Sequence, residues 1–340
     1  MKVLVTGSEG FIGRYIVNEL LNSGYEVVGL DNLSKYGVQA ESQNSHKNYR
    51  LVIGDATDLG LLKEIMFNVD YVIAGAAMIG GISYFHSFAY DLLAQNERIT
   101  AATCDAAIYC WKSGGALKRI IYLSSSMVFE GAITWPSYEG DELKSPPPIS
   151  SYGFQKLAVE YFARAAYDQY GLPYTICRPF NCVGVGENRS IKSKNITSGE
   201  LTLSMSHVVP DLIQKILKGQ NPVHILGDGS QIRHYTYGKD LAKGIRMAME
   251  DQRAINEDFN LSSEFGHTVL EVAEIIWKKV KPAQKFNYVS DSPFKYDVQK
   301  RIPSTKKAKE ILGFTAETSL EDVIDVIIDW VKIAIKEGKI

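Results

Sequence analysis

The sequence predicts an α/β protein built on a doubly wound parallel sheet, with a smaller α/β region entwined with it. Three observations point there. Apolar runs alternate with amphipathic stretches through about residue 180, a glycine-rich turn leaves the first run, and an acidic residue closes the second.

The first strand is Val3-Leu4-Val5, and Thr6-Gly7-Ser8-Glu9-Gly10-Phe11-Ile12-Gly13 follows it directly. A helical pattern begins at Phe11 and runs to residue 22. A tight turn from a buried strand into a helix exposes free backbone N–H groups, here around Phe11 and Ile12, that suit a pyrophosphate. Gly7 permits the turn, Gly10 lets the backbone approach the phosphates, and Gly13 lets helix and strand pack closely. Three glycines alone would describe any tight strand-to-helix turn. The second strand, Glu26 to Leu30, adds the discriminating feature, because it ends in Asp31 and Asn32. A carboxylate at that spacing accepts both hydroxyls of an adenosine ribose and repels a 2′-phosphate. The prediction is dinucleotide binding, NAD rather than NADP.

Further strands end near Ile53, Gly75, Ser124 and Arg178, with helical patterns over 58–67, 88–113 and 152–170 between them. Parallel sheets place ligands beyond the carboxyl ends of their strands, where Gly7, Asp31, Asp55, Ala76 and Ser125 stand. After Asn181 a polar, basic stretch, Gly186 to Ser206, reads as a loop over a site. Helical patterns follow at 207–218, 239–250, 268–280, 304–312 and 319–336, with an extended piece at Val223–Leu226. Residues 1–180 thus form a dinucleotide-binding domain to which segments near 234–262 return, and 181–340 form a substrate-binding region.

Composition excludes several functions. A net charge of −2 gives no electrostatic case for nucleic acid or an anionic membrane. The stretch Tyr71 to Tyr90 carries no formal charge, yet its glycines, serines and His86 suit a buried strand and a loop better than a membrane span. Cys104, Cys110, Cys177 and Cys182 lack metal-ligand spacing, so no metal site is expected and buried free thiols are. The amino terminus runs straight into a strand, so the expectation is a cytoplasmic protein without a signal peptide.

A second constellation carries chemistry. Tyr152 and Lys156 stand four apart on one helical face, after Pro146-Pro147-Pro148 and a capping pair, Ser150-Ser151. A phenol with a pKa of about 10 is a poor base at neutral pH. An ammonium about 4 Å away at an effective dielectric of 20 supplies roughly 4 kcal/mol. That is about three pKa units, enough to make Tyr152 a usable base toward a substrate hydroxyl. Ser125 closes an apolar strand at the level where a nicotinamide would lie, and its hydroxyl can share the substrate proton. Ser124 and Ser126 read as turn residues.

In this combination the chain resembles the extended short-chain dehydrogenase/reductases, specifically the NAD-dependent nucleotide-sugar epimerase/dehydratase group. The markers are Thr6–Gly13, Asp31-Asn32-Leu33, Gly54-Asp55, Ala74–Ala77, Asn96, Ser124–Phe129, Tyr152/Lys156, Arg178–Asn181, Gly227–Arg233 and Arg301–Pro303. The resemblance implies a Rossmann-type sheet and NAD as cofactor. It places Asp55 and Ala56 at the adenine edge, Ala76 along the dinucleotide channel and Asn96 among the cofactor residues. Ser125, Tyr152 and Lys156 become the catalytic set, with Lys156 also meeting the nicotinamide ribose. Asn181, Arg233 and Arg301 would hold the diphosphate of a nucleotide sugar. His224 would border the nucleobase or face solvent, and His207 would reach substrate or cap and pack its helix. The resemblance also implies a homodimer through the helices near 88–113 and 152–170.

Departures from the family pattern narrow the reaction. Dehydratases and decarboxylases of the group carry an acidic residue where Met127 stands, and C3/C5 epimerases a cysteine. Methionine can neither give nor take a proton. The expectation is a 4-epimerase acting through a transient 4-keto sugar. The alternatives are a C4 dehydrogenase/reductase, then a 4,6-dehydratase or C3/C5 epimerase, and outside enzymes an NAD-sensing or scaffold protein. His234 stands where many relatives have Asp, and the sequence offers no account of it.

Overall fold

The structure, a computed structural model, describes residues 1–37, 43–79, 88–187, 196–198, 201–203, 207–293 and 298–338. Most of the Gly186–Ser206 stretch and residues 80–87 of the uncharged segment lie outside the described residues.

The elements in chain order are β1 (Lys2–Thr6), α1 (Phe11–Asn22), β2 (Glu26–Asp31), β3 (Tyr49–Ile53), α2 (Leu59–Met66), β4 (Tyr71–Ala74), α3 (Ala89–Lys112), β5 (Arg119–Leu123), α4 (Ser151–Tyr170) and β6 (Tyr174–Pro179). The second half continues with β7 (Cys182–Val183), β8 (Ile196–Ser198), β9 (Leu201–Leu203), α5 (Val208–Leu217), β10 (Val223–Leu226), β11 (Ile232–His234), β12 (Thr236–Tyr237) and α6 (Gly238–Glu250). It ends with β13 (Glu257–Leu261), β14 (Gly266–Thr268), α7 (Val269–Val280), β15 (Tyr288–Asp291), β16 (Lys300–Arg301) and α8 (Leu320–Lys336).

Seven strands form one sheet in the order β13-β6-β5-β4-β1-β2-β3, and every neighbouring pair is parallel. The strands are short aliphatic runs because helices cover both faces of such a sheet. On one face α1 and α6 bury Ile16, Leu20, Leu241, Ile245 and Met249. On the other, α2, α3 and α4 bury Leu62, Met66, Cys104, Ala107 and Ala163. This is the Rossmann-type architecture the sequence predicts. The order reverses between β1 and β4, which opens a crevice at the carboxyl ends of those strands.

A third core gathers α5, α7, α8 and β10 around Ile213, Ile225, Trp277, Ile324 and Ile327. Two small sheets stand at its edge. β10 pairs with β15 in parallel, and β11 lies between β14 and β16. The second of these was not foreseen, since its strands hold only two or three residues each. The expected helix at 304–312 also differs: from Ala308 to Leu312 it winds as a π-helix and stops at Gly313, φ +70°. That winding places Ala308 and Leu312 together in the core. The four cysteines are free, and Cys104, Cys110 and Cys177 are buried. Among the described residues no helix is long and apolar enough to cross a membrane.

Candidate active site

A cleft of about 760 Å³ runs between the large sheet and the third core, lined by residues from both. Its first wall is the glycine turn. Gly7 has φ +73°, and a Cβ there would sit 2.9 Å from Ala76 Cα, so the turn folds flat against the exit of β4. A Cβ on Gly13 would lie 2.0 Å from the Gly7 carbonyl oxygen, which is why helix and turn require glycine on both sides. Gly10 occupies the cap of α1 without any side-chain cap bond. The leading amides of α1 therefore lack a side-chain acceptor, and the first turn holds no acidic residue, which suits a bound anion.

Asp31 closes β2 at the cleft edge. Its carboxylate accepts the Glu9 amide at 3.0 Å and the Leu33 amide at 2.8 Å. Burial raises its pKa above the usual carboxylate range, and these two amide bonds partly offset that. Asp55 accepts Asn32 Nδ2 at 2.9 Å and the Thr57 hydroxyl at 2.7 Å. Burial opposes ionisation of Asp55, but these bonds outweigh it and hold the carboxyl below its ordinary range. Ala56 and Ala76 line the same wall.

Ser125, Tyr152 and Lys156 come together at the carboxyl end of β5, all lining the cleft and all under 9% exposed. The Ser150 hydroxyl accepts the Gly153 amide at 3.0 Å, which starts α4 where Tyr152 and Lys156 share its inner face. Burial raises the Tyr152 phenol above its ordinary pKa; its hydrogen bond with Ser125 and the guanidinium of Arg301 pull it down in part. Helix spacing predicts Lys156 for that electrostatic work. In the structure the Lys156 ammonium donates to the Leu123 carbonyl at 2.8 Å instead, and burial lowers it to about 8. The cation that acts on the phenol comes from β16, an element invisible in the sequence pattern.

The opposite wall carries Asn181, Arg233 and Arg301. Arg233 and Arg301 are direct register partners across β11 and β16. Asn181 adopts φ +36°, unusual for a residue with a side chain. Its amide donates to the His234 carbonyl at 3.2 Å, and Arg301 donates to its Oδ1 at 3.4 Å. His207 precedes α5 without capping it; its ring pairs with the buried Glu187 carboxylate and lines the cleft. His224 also lines the cleft rather than facing solvent freely, with Nδ1 2.9 Å from Asp291.

Two expectations change. Asn96 does not line the cleft: its amide clasps the Met78 backbone at 2.7 and 3.0 Å and so supports the cleft wall from behind. Ser124 is no simple turn residue, since its hydroxyl donates to Glu160 at 2.6 Å in the interior. His234, for which the sequence offers no account, is buried with Nδ1 2.9 Å from the Ser263 carbonyl oxygen, and burial lowers its pKa; it anchors β11 to the chain at Ser263. Sequence reasoning also missed Lys35, Asp211, Lys215 and Tyr235, which line the cleft. Only Lys35 had a local signal, its closeness to Asp31.

A sequence model of the NAD-dependent epimerase/dehydratase family matches residues 3–262. The chain belongs to that family. A UDP-glucose 4-epimerase of Halalkalibacterium halodurans is 30% identical over 98% of this chain and 96% of its own. UDP-glucuronic acid decarboxylase 1 of Danio rerio is 24% identical over 97% of this chain and 72% of its own. The crystal structure of UDP-glucose 4-epimerase with UDP-glucose from Thermotoga maritima aligns with a TM-score of 0.80 at 27% identity, covering 98% of this chain and 100% of that one.

Family membership makes NAD the cofactor, and the residues present fit it. The flat glycine turn and the uncapped amides of α1 would cradle its diphosphate, and the Asp31 carboxylate at the end of β2 would accept its adenosine ribose, all on one wall.

Proposed function

We propose that this protein is an NAD-dependent nucleotide-sugar 4-epimerase working through a transient 4-keto sugar. One observation carries the reading: the position two residues past Ser125 is Met127, buried against Tyr152 and Leu92. An acid or base there would be needed to eliminate water or assist decarboxylation. A thioether in an apolar cluster supports neither, which leaves proton transfer at one carbinol.

In this reading Tyr152 takes the C4 hydroxyl proton and Ser125 shares it through its hydroxyl. Lys156 holds the nicotinamide ribose. When bound, NAD supplies the hydride acceptor and donor for C4. Asn181, Arg233 and Arg301 grip the diphosphate, because paired guanidinium forks match its oxygens. The keto sugar turns about that anchor and presents its other face, so the proton returns from Tyr152 with C4 inverted. His224 borders the nucleobase.

Purified protein incubated with a panel of nucleotide sugars and no added cofactor tests the reading. UDP-hexoses head the panel because of the relatives named above. Product inverted at C4 is expected; accumulation of a free keto sugar or of NADH would overturn it in favour of a C4 dehydrogenase or reductase.

A further inference from the structure

Behind the catalytic lysine lies a chamber of about 20 Å³, lined in part by Thr6, Thr100, Thr103, Tyr122, Gln155 and Lys156. Most polar groups around it are already engaged. Thr6 Oγ1 accepts the amides of Gly75 and Ala76, each at 3.1 Å. Thr100 donates to the Asn96 carbonyl at 2.8 Å, and the Tyr122 hydroxyl pairs with Cys104 Sγ at 3.1 Å. Three groups are left. Gln155 and Thr103 are each 2% exposed, and their atoms Oε1 and Oγ1 have no hydrogen-bond partner among the described residues. Buried polar atoms almost always find a partner. The Lys156 ammonium has three donors and gives one to Leu123.

We propose that the chamber is a hydration site in which one ordered water accepts a hydrogen bond from Lys156 and bonds Gln155 Oε1 and Thr103 Oγ1. The volume suffices for a single water, and three polar partners are the number such waters commonly have. The water solvates the ammonium from the side away from the cleft. That opposes the burial which lowers Lys156 to about 8, and keeps its remaining donor aimed at the cofactor. Gln155 and Thr103 are then positioning residues, a consequence that rests on the role given to Lys156 under Proposed function.

High-resolution crystal structures of the holoenzyme and of its Thr103→Val and Gln155→Leu variants test the site directly. Water density is expected in the parent chamber and is lost in the double variant, with NAD still bound. Removing that water deepens desolvation of the ammonium, so the alkaline limb of the kcat/KM profile moves down by about half a pH unit. Thr103→Val alone preserves side-chain shape and serves if the double variant does not fold. A dry chamber in the parent overturns the proposal, as does loss of the water with the alkaline limb unmoved. The density result stands whichever reaction the enzyme performs, so failure of the epimerase reading is distinguishable from failure of the hydration site.

Discussion

Glu160 and Arg178 form a fully buried bidentate pair, with Nε and a terminal nitrogen of the guanidinium each 2.7 Å from a carboxylate oxygen. The pair ties together three parts of the site. Glu160 lies one turn beyond Lys156 on α4, accepts the Ser124 hydroxyl beside Ser125, and grips the strand that leads to Asn181. Glu142 and Asp258 complete the guanidinium's surroundings at 2.9 and 2.6 Å. With Glu160 neutralised the guanidinium still faces Glu142 and Asp258, so the loss is that of buried charge-assisted hydrogen bonds, about 1.5–3 kcal/mol. Glu160→Gln, followed by urea denaturation, is expected to lose stability on that scale. A change within about 0.5 kcal/mol, the usual range for exposed positions, would show the network to be dispensable.

The same network predicts an acid transition. Burial alone would raise the Asp258 carboxyl, but Arg178 and Lys307 outweigh it and hold it at about 2, below its model-peptide value of 3.8. A carboxylate depressed in the folded state stabilises the protein fully above its unfolded pKa. As pH falls, the unfolded chain binds the proton first, so stability declines between about 4 and about 2. The contribution is on the order of 2 kcal/mol. Denaturation midpoints measured across that interval should fall steeply in the parent and less steeply in Asp258→Asn.

The large sheet was legible because its strands and helices obey local periodicities, and because the glycine turn and Asp31 lie close in sequence. The wall opposite was legible only through the family resemblance, which named Asn181, Arg233 and Arg301. Arg233 and Arg301 became register partners only through a sheet whose strands have two or three residues, too few for a period to show. For that reason sequence spacing gave Tyr152 its in-helix neighbour Lys156 as the partner charge, whereas the fold brings Arg301 from 149 positions away. Asn96 misled for the opposite reason: a buried amide in a helix facing the cleft region can serve backbone as readily as ligand.

Replacing Tyr152 by Phe separates binding from chemistry. The phenol hydroxyl faces Ser125 and feels Arg301, while the ring packs on Met127 and Leu92. Phe keeps that packing, so NAD content and folding should match the parent by absorbance and calorimetry. Turnover of the best substrate should fall by about 10²–10⁴-fold, the usual contribution of a general acid–base. Undiminished turnover would remove Tyr152 from the mechanism.

α3 and α4 carry several large exposed side chains. Tyr90 is 77% exposed, Tyr161 57%, Phe154 48% and Tyr109 45%. Phe154 and Tyr161 are seven residues apart, so they lie on one stripe of α4, and α3 packs alongside. Large exposed aromatics grouped on one helix face mark an association site more often than free surface. A two-fold pairing of α3 and α4 with their copies would bury the α4 stripe, which supports the homodimer proposed from the sequence. Light scattering should give twice the chain mass for the parent. Tyr161→Glu should place a carboxylate at the seam and shift the mass toward the monomer, while circular dichroism stays unchanged because the residue faces outward. A monomeric parent at micromolar concentration would defeat the assignment.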